Sequence, residues 1–80
     1  MEFNDALSKV EEVFRDVFEN EDIVLKPETT ADDVEDWDSL NHIQLVVAVE
    51  KKFGLKFTSH EIQSWNNVGE MIHSILKKKS

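Results

Sequence analysis

The chain has 80 residues, no cysteine, and 17 acidic against nine basic residues, for a net charge of −8. That length supports one hydrophobic core, hence a single domain over residues 1–80, and is too short for a deep catalytic cleft with its own supporting shells. The charge excludes nucleic acid and anionic membrane surfaces as partners, and the lack of cysteine excludes disulfides and thiolate chemistry, as is usual in a reducing compartment.

The first element is an amphipathic helix. Apolar residues fall at Phe3, Leu7, Val10, Phe14, Val17 and Phe18, with Ala6 and Val13 widening the stripe, which is helical spacing. Glu11, Glu12, Arg15, Asp16 and Glu19 take the other side, and the pattern predicts an end near Asn20. A long connection follows from Glu21 to Asp38, where Lys26-Pro27 opposes a continuous helix because proline biases its predecessor toward extended geometry. Ile23, Leu25, Val34 and Trp37 are its predicted anchors, and Thr30 with Asp33 predicts a short capped turn.

The second helix is predicted from Ser39 to Phe53, closed by Gly54, the residue type suited to a left-handed cap. Leu40, Ile43, Val46, Val47, Ala48, Val49 and Phe53 cover more than one face, which predicts a central helix. Thr58 with Glu61 opens a short helix through Ile62 and Trp65, and Asn67 with Glu70 opens a last helix bearing Val68, Met71, Ile72, Ile75 and Leu76. Lys77, Lys78 and Lys79 close it where the helix dipole favours cations. These elements predict an all-α fold, a small four-helix bundle of three longer helices and one short one with a long loop between the first two. No apolar run approaches a membrane span and Met1-Glu2-Phe3-Asn4-Asp5 lacks a secretory start, so a cytoplasmic monomer is expected.

Candidate chemistry gathers at Asp38-Ser39-Leu40. No Lys or Arg occurs between Lys26 and Lys51, whereas Glu28, Asp32, Asp33, Glu35, Asp36, Asp38 and Glu50 all lie there. On its position alone Ser39 is either a helix N-cap or a site of modification, since a helix start satisfies a capping hydroxyl and favours an attached anion alike. A metal centre is not predicted, because His42, His60 and His73 are dispersed. An EF-hand frame from Asp36 puts Leu40, Asn41 and Val47 where an oxygen ligand, a glycine and a glutamate are needed. Ser39, His42 and Asp38 have the residue types of a hydrolytic triad without evidence of its geometry or of an oxyanion hole, so no catalytic residue is assigned.

The order Asp38-Ser39-Leu40, then Val49-Glu50-Lys51-Lys52-Phe53, Phe57 before Thr58-Ser59, and Asn67-Val68-Gly69-Glu70-Met71-Ile72 resembles the acyl carrier protein family from about Ile23 to Ile75. The resemblance implies a fold of acyl-carrier type and a non-catalytic carrier, with 4'-phosphopantetheine attached to Ser39 from coenzyme A. It makes Asp38 the residue that helps the transferase present the cofactor, and Leu40 an apolar contact beside the arm. The implied partners are a phosphopantetheinyl transferase and acyl-loading and acyl-transfer enzymes with basic docking surfaces. The expected docking residues are Asp36, Asp38, Leu40, His42, Ile43, Val46 and Glu50.

Two departures bear on cargo and pathway. Gln44, Lys51 and Lys52 stand where the family commonly has acids, which suggests either neutral drift or a specialised pathway. Trp65 replaces a smaller aliphatic residue, which suggests either plain core or space taken from a long acyl chain, hence short or polar cargo. The remaining alternatives are an aminoacyl carrier of D-alanyl type, and an acidic helical interaction module with Ser39 as an unmodified cap.

Overall fold

The computed structural model describes residues 2–34 and 37–79, with Ser39 described by its backbone alone. These residues form four helices, α1 (Phe3–Val17), α2 (Ser39–Phe53), α3 (Ser59–Ser64) and α4 (Val68–Lys79), and among them no strand. α1 packs on both α2 and α4. Its buried face is Ala6, Val10, Val13 and Phe14, flanked by the partly buried Phe3, Leu7 and Val17. This is the predicted stripe, and its helical spacing puts one side chain per turn into the core.

α1 stops at Val17, three residues short of the predicted Asn20, because Glu19 adopts a left-handed φ of 51°. The Asn20 N–H then reaches back to the Arg15 carbonyl at 3.1 Å, closing the helix as a glycine would usually allow. α2 ends as predicted on Gly54 at φ 65°. Its core side is Leu45, Val49 and Phe53, spaced four residues apart. Leu45 was not singled out in the sequence, yet it is fully buried.

Capping explains both short connections. The Thr58 hydroxyl accepts from the Glu61 N–H while the Glu61 carboxylate accepts from the Thr58 N–H, a complete capping box. That backbone bond, then Lys78, holds the Glu61 carboxyl below its ordinary 4.5. At α4 the Asn67 side chain accepts from the Glu70 N–H, but the Glu70 carboxylate turns to the Asn66 N–H instead of Asn67. Thr30 and Asp33 form a turn rather than a helix, with Asp33 accepting from both the Thr30 N–H and its hydroxyl.

The long loop is tied down at both ends. Arg15 donates from Nε to the Ile23 carbonyl at 2.9 Å, and Glu11 accepts from the Leu25 N–H at 3.0 Å. Ile23, Leu25 and Val34 are buried as predicted, and Trp37 packs on the cluster partly buried. Farther along, the carbonyls of Pro27 and Thr29 each accept at 2.8 Å from the Gly69 and Val68 N–H groups, so the loop satisfies amides that α4 leaves unpaired at its start. A Cβ on Gly69 would lie 2.9 Å from the Pro27 carbonyl oxygen, which is backbone and cannot swing aside. Gly69→Ala therefore lowers stability by about 1–3 kcal/mol, the usual cost of overpacking, read as a lower urea midpoint. An unchanged midpoint would mean that this loop is not held against α4.

Candidate functional site

The end of the long loop places Trp37 and Asp38 against the start of α2. Asp38 is extended, at φ −114°, and its Oδ1 accepts from the Asn41 N–H at 2.8 Å. It is therefore the N-cap, and Ser39 is the first helical residue. This corrects the reading of Ser39 as a cap: the carboxylate one residue earlier already makes the capping bond. No acidic residue occupies the first turn of α2 itself, so the partial positive charge of its exposed amides is available to an anion attached there.

An open cleft of about 630 Å³ lies beside this helix start, walled by Trp37, Asp38, His42, Gln63, Trp65 and Asn66. Its rings are connected. Trp37 donates from Nε1 to His42 Nδ1 at 2.9 Å, with the two rings nearly parallel and 5.9 Å apart. Behind it, Trp37 meets Phe14 of the core edge-on at 5.0 Å. Trp65, half-buried, donates from Nε1 to the Ser74 hydroxyl at 2.9 Å and meets Phe57 edge-on at 4.8 Å. A larger depression of about 1090 Å³ sits among Glu12, Asp16, Glu19 and Glu21, but none of its residues belongs to α2. Among the described residues no group of three or more acidic, histidine or cysteine side chains could hold a metal ion.

His42 is half-buried, and burial lowers its imidazole below the ordinary 6.5. A lowered value means that the unfolded chain binds the proton more readily, so stability is full above about pH 6.5 and is lost as pH falls through the folded value. The expected result is a urea midpoint that drops between pH 7.5 and pH 5.5 by more in the wild type than in His42→Asn, which lacks the titrating group. Parallel midpoints in the two proteins would remove His42 from the acid response.

The other predicted docking residues separate into distinct environments. Leu40 and Ile43 are exposed, at 71% and 65%, and Val47 at 44% extends them along one side of α2. Val47 was read only as helix apolar content, although its spacing from Leu40 and Ile43 already marks a common face. Val46 is a correction: it is buried, at 5%, and offers a partner almost no surface. Glu50 is half-buried and accepts from the Phe57 N–H at 2.8 Å, so its carboxylate closes the turn after α2. Asp36 lies outside the described residues.

The likeness to known proteins runs over most of the chain and includes this helix start. The model of the family described as phosphopantetheine attachment site matches residues 8–75. The chain belongs to that family. Its members carry a covalent 4'-phosphopantetheine and are not catalysts. A holo acyl carrier protein from Geobacter metallireducens, solved by solution NMR, superimposes on this carrier-family chain with a TM-score of 0.87 at 39% identity, covering 92% of this chain and 85% of that one. The acyl carrier protein of Acidothermus cellulolyticus is 35% identical over 51 residues, 64% of this chain; the match spans 61% of that protein, about three fifths of its length. Among the described residues no helix is long and apolar enough to cross a membrane.

Proposed function

We propose that the chain is one acyl carrier domain, with 4'-phosphopantetheine on Ser39 and an acyl group held on the arm as a thioester. The observation that carries this reading is the Asp38 cap: the capping bond at the start of α2 runs from the Asn41 N–H to Asp38, so the capping role is filled one residue before Ser39. The bound arm supplies a terminal thiol, and the protein supplies its address. Asp38 fixes the helix start that the transferase must approach, the amides of the first turn favour the phosphodiester, and Leu40 and Ile43 offer apolar contact next to the attachment point. The alternative, an acidic helical interaction module, shares the fold and the charge, and covalent modification of Ser39 is what separates it from the carrier.

The partners are a phosphopantetheinyl transferase and enzymes that load and accept the acyl group, in the cytoplasm. The acidic loop steers basic docking surfaces toward Ser39. Gln44, Lys51 and Lys52 are all exposed, and Glu50 is engaged with Phe57, so the middle of α2 meets its partners through Leu40, Ile43 and Val47 rather than through carboxylates. That supports a specialised pathway over general fatty-acid synthesis, and predicts slow loading and elongation by a host's general fatty-acid enzymes relative to its main carrier.

The half-buried Trp65, tied to Ser74 and Phe57, fills space between α3 and α4 and supports short or polar cargo. A long-chain thioester on the wild type is then hydrolysed as fast as the same thioester on free pantetheine, whereas Trp65→Ala slows it. Strong protection in the wild type would count against short cargo. The deciding experiment for the carrier itself is intact mass after incubation with coenzyme A and a broad-specificity transferase, followed by peptide mapping. A gain of one arm localised to residue 39 supports the proposal; no gain in folded protein, tested also with the native host's transferase, rejects it.

A further inference from the structure

The Trp37–His42 contact lies between the core and the serine, and its chemistry has a direction. Indole nitrogen only donates, so His42 Nδ1 must be the acceptor in the 2.9 Å bond. The imidazole is then neutral with its proton on Nε2, and adding a second proton at Nδ1 sets two N–H groups against each other. Trp37 is bonded by its own backbone N–H to the Val34 carbonyl at 3.1 Å and rests edge-on against buried Phe14. The next residue is Asp38, the cap of α2, whose carbonyl accepts from the His42 N–H at 2.8 Å. His42 therefore closes a small ring of contacts, from its own side chain through Trp37 and Asp38 back to its own amide, and Ser39 sits inside that ring in sequence.

We infer that His42 is a positioning residue for Ser39: its neutral imidazole holds Trp37 on the core and so fixes the segment that enters α2, and protonation of Nδ1 releases that segment. The inference rests on the reading of Ser39 as the modified residue only for its functional consequence. The clasp itself stands on the geometry.

The surroundings decide how the clasp titrates. From the loop and cap, the charged group lining the cleft with His42 is Asp38, whose carboxylate is committed to the Asn41 N–H. At the α3 end the cleft is lined by neutral Gln63, Trp65 and Asn66, with the Trp65 ring 6.4 Å from the imidazole. The carboxylate of α3, Glu61, is bonded to Thr58 and paired with Lys78. Behind Trp37, α1 presents the apolar Phe14. Glu35 and Asp36 lie outside the described residues. Burial of the imidazole opposes its charged form, so the closed clasp is the state at neutral pH and opening belongs to mildly acid conditions.

The test uses the unmodified full chain, so it does not depend on any transferase. Proton–nitrogen NMR from pH 8 to pH 5 follows both indole N–H signals and the backbone amides of Asp38, Ser39 and Asn41. Trp65 is a second reporter: its partner is the Ser74 hydroxyl, which does not titrate in this range, but its ring lies 6.4 Å from the imidazole and senses the added charge. The expected result is a Trp37 indole signal that shifts with a midpoint below 6.5, together with the Asp38 and Ser39 amides, and by more than the Trp65 signal does.

His42→Asn keeps an acceptor near Nδ1 and cannot be protonated, so it restores a pH-independent Trp37 signal; His42→Phe keeps a ring without an acceptor and has the open-state Trp37 signal at every pH. A Trp37 signal that does not move, or one that moves without the Ser39 amide, overturns the inference. The functional readout is competition between wild type and His42→Asn for one transferase, read by intact mass, in which the enzyme's own pH profile cancels. The wild-type share falls roughly fivefold across the His42 transition, the factor carried by one ordinary hydrogen bond. A constant share with a titrating Trp37 rejects the positioning role. No modification of either protein at any pH rejects the carrier reading, and the NMR result then decides the clasp alone.

Discussion

Ser39→Ala loses all transfer of the phosphopantetheine arm while its unfolding free energy, read by urea titration, stays within about 0.5 kcal/mol of the wild type. The two halves of that result have separate causes. Arm transfer needs a hydroxyl at residue 39, and alanine has none. Stability is spared because the bond that closes the start of α2 comes from Asp38 to the Asn41 N–H, and alanine is an excellent residue at the first helical position. The companion variant Asp38→Ala should show the reverse balance, with about 1 kcal/mol of stability lost with the cap and the hydroxyl still in place. Its arm transfer is slowed rather than abolished, because the helix start that presents Ser39 frays. If instead Ser39→Ala loses the cap-sized stability and Asp38→Ala does not, the assignment of the cap is wrong and the case for Ser39 as a free attachment point weakens with it. Circular dichroism and denaturant titration on the two variants, beside intact mass, separate these outcomes.

The second large effect is structural. Phe14→Ala is expected to leave the chain largely unfolded at 25 °C, with flattened circular dichroism and no cooperative urea transition. Phe14 is fully buried and meets Phe18 and Trp37 edge-on at 5.6 and 5.0 Å. Truncating such a ring costs about 3–5 kcal/mol. A domain of this size has only about 3–5 kcal/mol of stability to lose. The same ring supports Trp37, so any folded remainder should show a displaced Trp37 and slower arm transfer even though Phe14 lies outside the cleft. A cooperative transition near the wild-type midpoint would show that the α1 face repacks around the missing ring, and would remove Phe14 as the support of the site.

The parts of this fold set by local chemistry were legible. The α1 stripe, Gly54 at the end of α2, and the Thr58 and Glu61 reciprocal cap each depend on residues within a turn or two of one another, so spacing alone identifies them. Other features needed information that local spacing lacks. Nothing near Glu19 announces a left-handed backbone, because glutamate pays a steric penalty there that only the path of the following loop imposes. Asp38 and Ser39 are both good caps, and which of them caps depends on where the chain leaves its extended path.

By itself the sequence determined the class of fold, the family, and the one hydroxyl at the start of an acid-flanked helix, since these follow from residue order and short-range periodicity. Tertiary structure decided which of the apolar residues on α2 are surface and which are core, exposing Leu40, Ile43 and Val47 and burying Leu45 and Val46. A broad apolar helix has no single face until its neighbours choose one. Packing also joined Pro27 and Thr29 to α4, and gave Glu50 to the Phe57 amide rather than to a partner. It joined Trp37 to His42 as well, because a hydrogen bond between side chains depends on where two backbones bring their atoms, and the loop is fixed only when α1 and α4 hold it.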